Sequence, residues 1–408
     1  MSTVESGIIL NQQHAKAASA IQSSSPARML HVLTLTPFYP YAGNEAAGCF
    51  IAEPLRALAE QGVLSTVIAA QPLHNSWNDS NASTPSEWVR YPQLPGNFGL
   101  SGAGRSLFFR LLAKLKRLHR NHPIDLIHAH AALPCGHAAT LLSSSLRIPF
   151  VVTVHGLDVF NTCFQHVGPA VRRRHEISAN VYRRAARVIC ISDKVRKLIV
   201  DELPEVRTAV IYNGTDTNFF SPAESPTENE AILIVGTLLR GKGQELVLRA
   251  MSRLSNQHPR LRCKMIGEGA DRERFAALAK ELGLENRVEF LGRRTRTEVA
   301  TELRDSVIFA LPSRYEGLGC AYLEAMSCGK PVIACYGQGI DEIIRHGENG
   351  WLIPVDGLDD LAEGLRVLLN SRERRMKMGQ AARDTILKEL TLQHQAQSLV
   401  TIYREVAQ

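Results

Sequence analysis

Short apolar segments alternate with helical segments along most of the chain, and this alternation constrains the fold more than any other feature. One series runs from residue 30 to about 212, and a second runs from 231 to about 334. Strands that alternate with helices pair in parallel, with the helices packed against the sheet. The sequence therefore predicts an α/β protein with two parallel sheets. The pattern also predicts a helix over 48–61 and a last core strand over 331–334.

The length of 408 residues supports two domains, because a single hydrophobic core stops growing in much shorter chains. We predict a first domain over residues 29–221 and a second over 231–390. The polar segment 222–230 contains two prolines and is predicted to be a linker. Residues 1–28 are rich in Ser, Ala and Gln, show no periodicity, and are predicted to form a disordered tail. Met29 directly precedes the first strand and is a candidate for the true start.

The composition indicates an ordinary globular protein, with 45% hydrophobic and 21% charged residues. No apolar segment reaches the ~18 residues that a membrane-spanning helix needs. The eight cysteines include no Cys-x-x-Cys pair, and the N-terminus has no secretory apolar region. We therefore expect a cytoplasmic protein with reduced thiols, without a disulfide framework or a zinc site.

Much of the positive charge, which is +7 net, lies in two segments. Residues 105–122 have helical periodicity and no acidic residue. Residues 172–187 contain a single acidic residue, Glu176. One interpretation is a solvated helix face whose apolar side packs on a sheet. The alternative is peripheral contact with an anionic membrane surface, where each basic residue contributes ~1 kcal/mol. No nucleic-acid recognition motif accompanies the charge, so no nucleic-acid partner is expected.

A Gly-x-Gly turn between two carboxylates follows the apolar segment 306–313. Its sequence is Glu316-Gly317-Leu318-Gly319-Cys320, and Glu324 lies in the helix-forming segment that comes next. This strand–turn–helix pattern places the turn at the carboxyl edge of a parallel sheet, where ligands bind. Amide groups at the start of the helix favour an anion such as phosphate. Glu324 has a second interpretation, in which it only offsets the dipole of the first helical turn.

Further loops at strand ends carry residues suited to a phosphate or sugar site. Lys242 lies in a Gly-Lys-Gly turn, where glycines let the backbone approach a phosphate and the ammonium supplies a charge. His155 follows another apolar segment and precedes a glycine. Taken singly, these features favour ordinary interpretations, because surface Gly-Lys-Gly turns are common and a histidine in such a position is more often structural than catalytic. His128 and His130 lie at the end of another strand. They either line the same ligand-binding cleft as His155 or pack in the core.

The order of these segments closely resembles glycosyltransferase family 4, a family of retaining sugar transferases with the GT-B fold. The resemblance covers residues 29 to 405 and is carried by Thr153-Val-His155-Gly-Leu-Asp158, Ile211-Tyr-Asn213-Gly-Thr-Asp, Gly236-Thr-Leu-Leu-Arg240-Gly-Lys242-Gly, the Glu316–Glu324 turn with Ala325-Met-Ser-Cys-Gly-Lys-Pro, and Gly339-Ile-Asp-Glu-Ile-Ile-Arg-His-Gly-Glu-Asn-Gly. It implies two Rossmann-like domains that face each other across a cleft. It also implies that a last helix, within residues 391–408, crosses back to the first domain.

The activity implied by the resemblance is transfer of a hexosyl unit from a nucleotide-diphosphate sugar. The implied acceptor is a hydroxyl of a glycan or a lipid-linked molecule, in the synthesis of a bacterial cell-surface polysaccharide or glycolipid. Such a protein is expected in the cytoplasm, where the basic helices would bring it to the inner face of the cytoplasmic membrane if they contact lipid.

The resemblance implies a donor-phosphate site built from three loops. Lys242, with Arg240 nearby, would bind the diphosphate, and Gly43 and Gly48 would form a glycine turn that approaches it. Two features depart from the family pattern: Thr237 stands where relatives often have Arg, and Gly43 and Gly48 are not adjacent, as the paired glycines of relatives usually are. The third loop supplies the amide groups of Gly317, Leu318, Gly319 and Cys320.

The same resemblance implies roles for three side chains around the transferred sugar. Glu324 would accept hydrogen bonds from the donor ribose, and Glu316 would contact the transferred sugar. A carboxylate suits a diol because both of its oxygens accept hydrogen bonds. His155 would contact the donor sugar or the acceptor near the transferring centre.

No Asp-x-Asp motif and no His/Cys cluster with metal-ligand spacing occurs in the sequence. We therefore expect no metal cofactor, with the charge of the diphosphate offset by Lys242, backbone amides and a helix dipole. The expected mechanism is front-face displacement with retention, in which the leaving phosphate accepts the proton of the incoming hydroxyl.

Three other functions are compatible with two α/β domains. A dehydrogenase is disfavoured, because Gly267-Glu-Gly269 lacks the third glycine and the distal acid of the dinucleotide fingerprint. A nucleotide-sugar epimerase matches the loops less well. An inactive GT-B protein that acts as a membrane-associated partner is disfavoured by the presence of Lys242, His155, Glu316 and Glu324.

Overall fold

Two parallel sheets form the core of the computed structural model, which describes residues 28–41, 43–74, 86–93, 99–156, 158–159, 168–225 and 229–408. The predicted α/β architecture with two parallel sheets is confirmed. The predicted tail, residues 1–28, lies outside the described residues except for Arg28. The guanidinium of Arg28 donates a hydrogen bond to Oδ1 of Asp125 at 2.7 Å.

The first sheet, in the described part of the chain, has seven parallel strands in the order β3-β2-β1-β4-β5-β6-β7. They are β1 (Leu30–Thr36), β2 (Val63–Pro72), β3 (Ser86–Tyr91), β4 (Leu126–His130), β5 (Phe150–Val154), β6 (Arg187–Cys190) and β7 (Thr208–Val210). All residues of β4 and β5 are buried, as is usual for central parallel strands. The edge strand β3 is not predicted by the sequence pattern.

Helices cover the first sheet and include the basic helix that the sequence predicts. They are α1 (Cys49–Ala52), α2 (Pro54–Glu60), α3 (Leu100–Asn121), α4 (His137–Leu146), α5 (Pro169–Arg184) and α6 (Asp193–Val200). The prediction of one helix over 48–61 is wrong, because Pro54 lacks a backbone N–H and begins a new helix. In α3, Leu107, Leu111 and Leu115 are fully buried, while Phe109 is 73% exposed.

The second sheet has six parallel strands among the described residues, in the order β10-β9-β8-β11-β12-β13. They are β8 (Ala231–Val235), β9 (Arg262–Ile266), β10 (Val288–Gly292), β11 (Ile308–Ala310), β12 (Val332–Cys335) and β13 (Trp351–Ile353). The prediction that the strand over 331–334 is the last one is wrong, because β13 pairs with β12 beyond it.

The helices of the second half of the chain begin at the carboxyl ends of these strands or follow the sheet. They are α7 (Gln244–Leu254), α8 (Arg272–Glu281), α9 (Arg296–Asp305), α10 (Cys320–Ser327), α11 (Leu358–Asn370), α12 (Arg372–Glu389) and α13 (Leu392–Val406). None of the helices within the described ranges is both long enough and apolar enough to cross a membrane.

The chain runs twice between the two sheets, at Thr215 and at Thr391, and these two connecting segments lie side by side. Thr215 pairs with Thr391 in an isolated parallel bridge, and its N–H donates to the carbonyl of Leu390 at 3.0 Å. Gly214 is required here, because a Cβ would lie 2.4 Å from the carbonyl oxygen of Thr391. After the second passage, α13 packs its apolar face against the first sheet, where Leu126 is among its neighbours. The predicted domain limits and the linker 222–230 stay predictions.

Candidate active site

Lys242 and Glu316 meet at the carboxyl edge of the second sheet. Nζ of Lys242 lies 2.7 Å from Oε1 of Glu316, and the hydroxyl of Ser313 donates to the same oxygen at 3.0 Å. The two loops are neighbours because β8 and β11, which precede them, pair in the sheet. Gly243 allows this approach, since a Cβ there would lie 2.6 Å from the carbonyl oxygen of Pro312. An ammonium and a carboxylate are thus brought together where ligands of parallel sheets bind.

The Gly-x-Gly turn leads directly into helix α10. Gly319 precedes the helix with a φ of 88°, a left-handed conformation that favours glycine. Gly319 has no side chain that could cap the helix, and its carbonyl accepts from the N–H of Tyr322 at 3.1 Å. The N–H groups that precede Tyr322 at the start of α10 are those that a helix leaves without an intrahelical acceptor. Leu318 is buried, and Sγ of Cys320 accepts a hydrogen bond from the amide of Asn213. The turn therefore has the backbone chemistry of an anion site.

The His155 loop of the first sheet contacts the Gly317 turn of the second. A Cβ at Gly317 would lie 2.6 Å from the carbonyl oxygen of His155, so only glycine fits between the two loops. The hydroxyl of Ser192 also donates to the carbonyl of Gly317 at 2.6 Å. Within the His155 loop, Oδ1 of Asp158 accepts from the N–H of His155 at 2.8 Å, which explains the His-Gly-x-Asp spacing. His155 therefore lies next to the turn that follows Glu316.

Three histidines form a line that ends at His155. Nδ1 of His130 lies 3.1 Å from Nε2 of His155, and the two rings are stacked. His128 packs against His130 and makes hydrogen bonds with the hydroxyls of Tyr403 and Thr153. Burial lowers the pKa of both His128 and His155 to about 3. His155 is consequently neutral at physiological pH, and it can form a hydrogen bond but cannot supply the positive charge of an imidazolium.

This line of histidines predicts a loss of stability on acidification. The pKa of His128 in the folded protein is far below its ordinary value of 6.5, so the unfolded chain takes up a proton more readily. The free energy of unfolding is therefore unaffected by this group above pH 6.5 and falls progressively as the pH drops from 6.5 towards 3. Each such histidine makes the free energy of unfolding fall by ~1.4 kcal/mol per pH unit in that window. We therefore expect His128→Gln to lose about 1 kcal/mol less than the wild type between pH 6 and pH 5. Urea denaturation at the two pH values measures this, and equal losses in both proteins would contradict it.

Glu324 is held by an arginine that the sequence analysis did not identify. Nη1 of Arg296 donates to Oε1 of Glu324 at 2.6 Å, and Nη2 donates to Oε1 of Glu53 at 2.6 Å. Arg296 is the first residue of α9 and lies within the capping box, directly after its N-cap residue Thr295 and before Glu298. The sequence signal that could have located it is this capping box at the carboxyl end of β10.

Arg240 pairs with an acidic residue of its own, and the two glycines of the first loop have left-handed backbone conformations. The side chain of Arg240 is 71% exposed and lies 3.6 Å from Oδ1 of Asp271. Gly48 has a φ of 69°, and a Cβ there would lie 2.5 Å from the carbonyl carbon of Phe38, so it is needed for the shape of the loop. Gly43 also has a positive φ, of 82°. The carboxylate of Glu45, between these glycines, accepts from the N–H of Arg296.

Over 28–41, 43–74, 86–93, 99–156, 158–159, 168–225 and 229–408, no group of three or more His, Cys, Asp and Glu side chains is arranged to hold a metal ion.

Two family models match this chain and together span most of it. The model described as "Glycosyl transferases group 1" matches residues 215–385, and the model described as "Glycosyltransferase Family 4" matches residues 50–219. An uncharacterised glycosyltransferase of Methanocaldococcus jannaschii is 30% identical over 274 residues, which cover 66% of this chain and 72% of that protein.

Two solved structures share the architecture of this chain. Sucrose-phosphate synthase from Thermosynechococcus elongatus has a TM-score of 0.72 at 22% identity, over 92% of this chain and 98% of that one. Anabaena HepE in complex with UDP-glucose has a TM-score of 0.70 at 20% identity, over 92% of this chain and 100% of that one. At these identities the likeness concerns the fold.

Proposed function

The chain belongs to the group 1 glycosyltransferases of family 4 and has the GT-B fold, and from this premise we propose that it is a retaining hexosyltransferase. The proposed donor is a nucleotide-diphosphate sugar, and the proposed acceptor is a hydroxyl of a glycan or lipid-linked molecule. Anabaena HepE, which has the same fold, binds UDP-glucose, and this makes UDP-hexoses the first donors to test.

The observation that carries the proposal is the convergence of Lys242, Glu316 and the start of α10 beside His155. The ammonium of Lys242 and the amide groups of the turn are the groups that stabilise a diphosphate leaving group. The carboxylate of Glu316, whose side chain is 11% exposed, suits the hydroxyls of a sugar. A donor diphosphate that reaches Lys242 would compete with Glu316 for the ammonium, since both are anions.

The proposed mechanism is front-face displacement with retention of the anomeric configuration. The acceptor oxygen forms a bond to the anomeric carbon on the face from which the diphosphate leaves, and a phosphate oxygen takes the proton of that hydroxyl. His155, being neutral, would contribute a hydrogen bond to the sugar or the acceptor. Lys242, the amides and the helix dipole would offset the charge of the leaving diphosphate, so the proposed reaction requires no metal ion.

The exposed face of α3 supports a lipid-linked acceptor at an anionic membrane surface. Five of its basic side chains are exposed and have no ion pair within the described residues: Arg105, Arg110, Lys116, Arg117 and Arg120. Phe109, 73% exposed, lies among them. Cationic and aromatic side chains on one helix face suit the headgroup region of a membrane. On this basis we propose a role in cell-surface polysaccharide or glycolipid synthesis at the inner face of the cytoplasmic membrane.

Incubation with UDP-, GDP- and ADP-hexoses in the presence of EDTA tests this function. We expect one donor to release its nucleoside diphosphate, slowly to water and faster with a polyprenyl-phosphate-linked or glycan acceptor. Release that persists in EDTA agrees with the proposal, whereas complete loss in EDTA that manganese restores would contradict metal-independent transfer. Absence of binding and turnover with every donor would instead favour the inactive, membrane-associated protein.

A further inference from the structure

Arg296 lies between two carboxylates, one beside the first sheet and one beside the second. Its Nη1 donates to Oε1 of Glu324 in α10, and its Nη2 donates to Oε1 of Glu53 between α1 and α2, each at 2.6 Å. Only a planar guanidinium can bind two carboxylates through separate nitrogens in this way, because a lysine ammonium is a single point charge. The second-domain helix that carries Glu324 is thereby connected to the first domain.

The surroundings of Arg296 make this bridge more than an exposed surface ion pair. The side chain of Arg296 is 13% exposed, that of Glu324 is 6% exposed, and that of Glu53 is 27% exposed. The guanidinium carbon lies 4.6 Å from the ring centroid of Phe220, which covers it. Exposed pairs contribute little, but a desolvated pair with defined geometry fixes the orientation of its members.

The charges of Arg296 and of the neighbouring carboxylates stabilise one another. Burial alone would lower the pKa of the Arg296 guanidinium, but the neighbouring carboxylates, Glu324 first, raise it above its ordinary value. Burial raises the pKa of the Glu53 carboxyl, and the charge of Arg296 partly offsets this. Loss of the guanidinium would leave two carboxylates close together in a poorly solvated place.

We propose that Arg296 is a positioning residue that orients Glu324 for the donor ribose and, through Glu53, makes this orientation depend on contact between the two domains. Arg296 occupies Oε1 of Glu324, which leaves Oε2 as the oxygen that accepts from a ribose hydroxyl. This inference rests on the proposed function, in which Glu324 binds the ribose. Arg296 itself need not touch the sugar that is transferred.

The test uses the variant Arg296→Lys, which keeps the positive charge but loses the two separate Nη donors. Its binding of ligands that have the ribose 2′-hydroxyl is compared with its binding of ligands that lack it. Titration calorimetry with UDP, 2′-deoxy-UDP and inorganic pyrophosphate measures the dissociation constants. In the wild type we expect UDP to bind more tightly than 2′-deoxy-UDP. In Arg296→Lys we expect UDP to bind about tenfold more weakly, a smaller preference for UDP over 2′-deoxy-UDP, and unchanged binding of pyrophosphate. Arg293→Lys, an exposed arginine in the same loop, is the matched control and should retain wild-type values.

The Glu53 arm is tested separately with Glu53→Gln. This substitution should weaken UDP binding in the wild-type background and have no further effect in Arg296→Lys, because the bridge is already broken there. An unchanged ribose preference in folded Arg296→Lys, or a pyrophosphate affinity that falls as much as the UDP affinity, would overturn the positioning role. Additive effects of the two substitutions would overturn the coupling to Glu53. If UDP does not bind, the same comparison is made with GDP or ADP and its 2′-deoxy form. If the wild type binds none of the three nucleoside diphosphates, the proposed function fails, not the role of Arg296 alone.

Discussion

Lys242→Ala is expected to lower the turnover number at least about tenfold while the protein remains folded. The ammonium lies 2.7 Å from Glu316, and its side chain is 29% exposed, so it is accessible to a ligand. A hydrogen bond to a charged group contributes ~1.5–3 kcal/mol, and more is lost as charge develops on the leaving diphosphate. Since ~1.36 kcal/mol corresponds to a factor of ten in rate, the expected loss is tenfold or greater. Steady-state turnover at saturating donor, together with a thermal melt, measures it.

The matched control for this substitution is Lys280→Ala, an exposed lysine near the end of α8 in the same half of the chain. It should keep wild-type turnover. Near-wild-type turnover of folded Lys242→Ala would show that the ammonium does not serve the donor diphosphate.

Glu316→Gln is expected to lower turnover by about tenfold to a hundredfold, as follows from ~1.5–3 kcal/mol for a hydrogen bond to a charged acceptor. Glutamine keeps the size of the side chain and one acceptor oxygen for Ser313 and Lys242, but it loses the negative charge. The change should therefore reduce turnover far more than it reduces the melting temperature. Glu281→Gln, an exposed residue at the end of α8, provides the control.

The double variant Lys242→Ala/Glu316→Gln distinguishes a shared site from two independent sites. Residues in direct contact show non-additive effects. Since Lys242 and Glu316 form an ion pair, the double variant should lose less than the product of the two single losses. A loss equal to that product would argue against a common site.

The alternation of apolar and helical segments was sufficient to predict the parallel sheets, and strand ends located the loops of the site. Strand burial in parallel sheets is nearly continuous, so β4 and β5 are readable as short apolar runs. The strands β3 and β13, which the sequence did not predict, lie at the edges of their sheets. An edge strand is covered less completely than a central one, so it needs no continuous apolar run. The break at Glu53 and Pro54 had a local signal, the proline, which the prediction of a single helix overlooked.

Contacts between loops could not be predicted in the same way. Lys242 and Glu316 are 74 residues apart, and they meet because β8 and β11 are neighbours, which is a property of strand order and not of either loop. Glu53 and Tyr403 have no motif of their own, and the capping box around Arg296 indicates a helix start but not its partners. The partners of all three come from distant segments. Arg240 shows the converse: its position beside Lys242 in sequence does not bring its exposed side chain to the same cluster, because Asp271 pairs with it.

A crystal structure of the protein with UDP, or with the nucleoside diphosphate of the donor that proves active, tests the central claim most directly. We expect the diphosphate to lie within hydrogen-bonding distance of Nζ of Lys242 and the amide groups of Leu318 and Gly319, with the ribose hydroxyls on the carboxylate of Glu324. Ordered nucleotide bound elsewhere, with Lys242 and Glu324 both without contact to it, would contradict the assignment of this site to the donor.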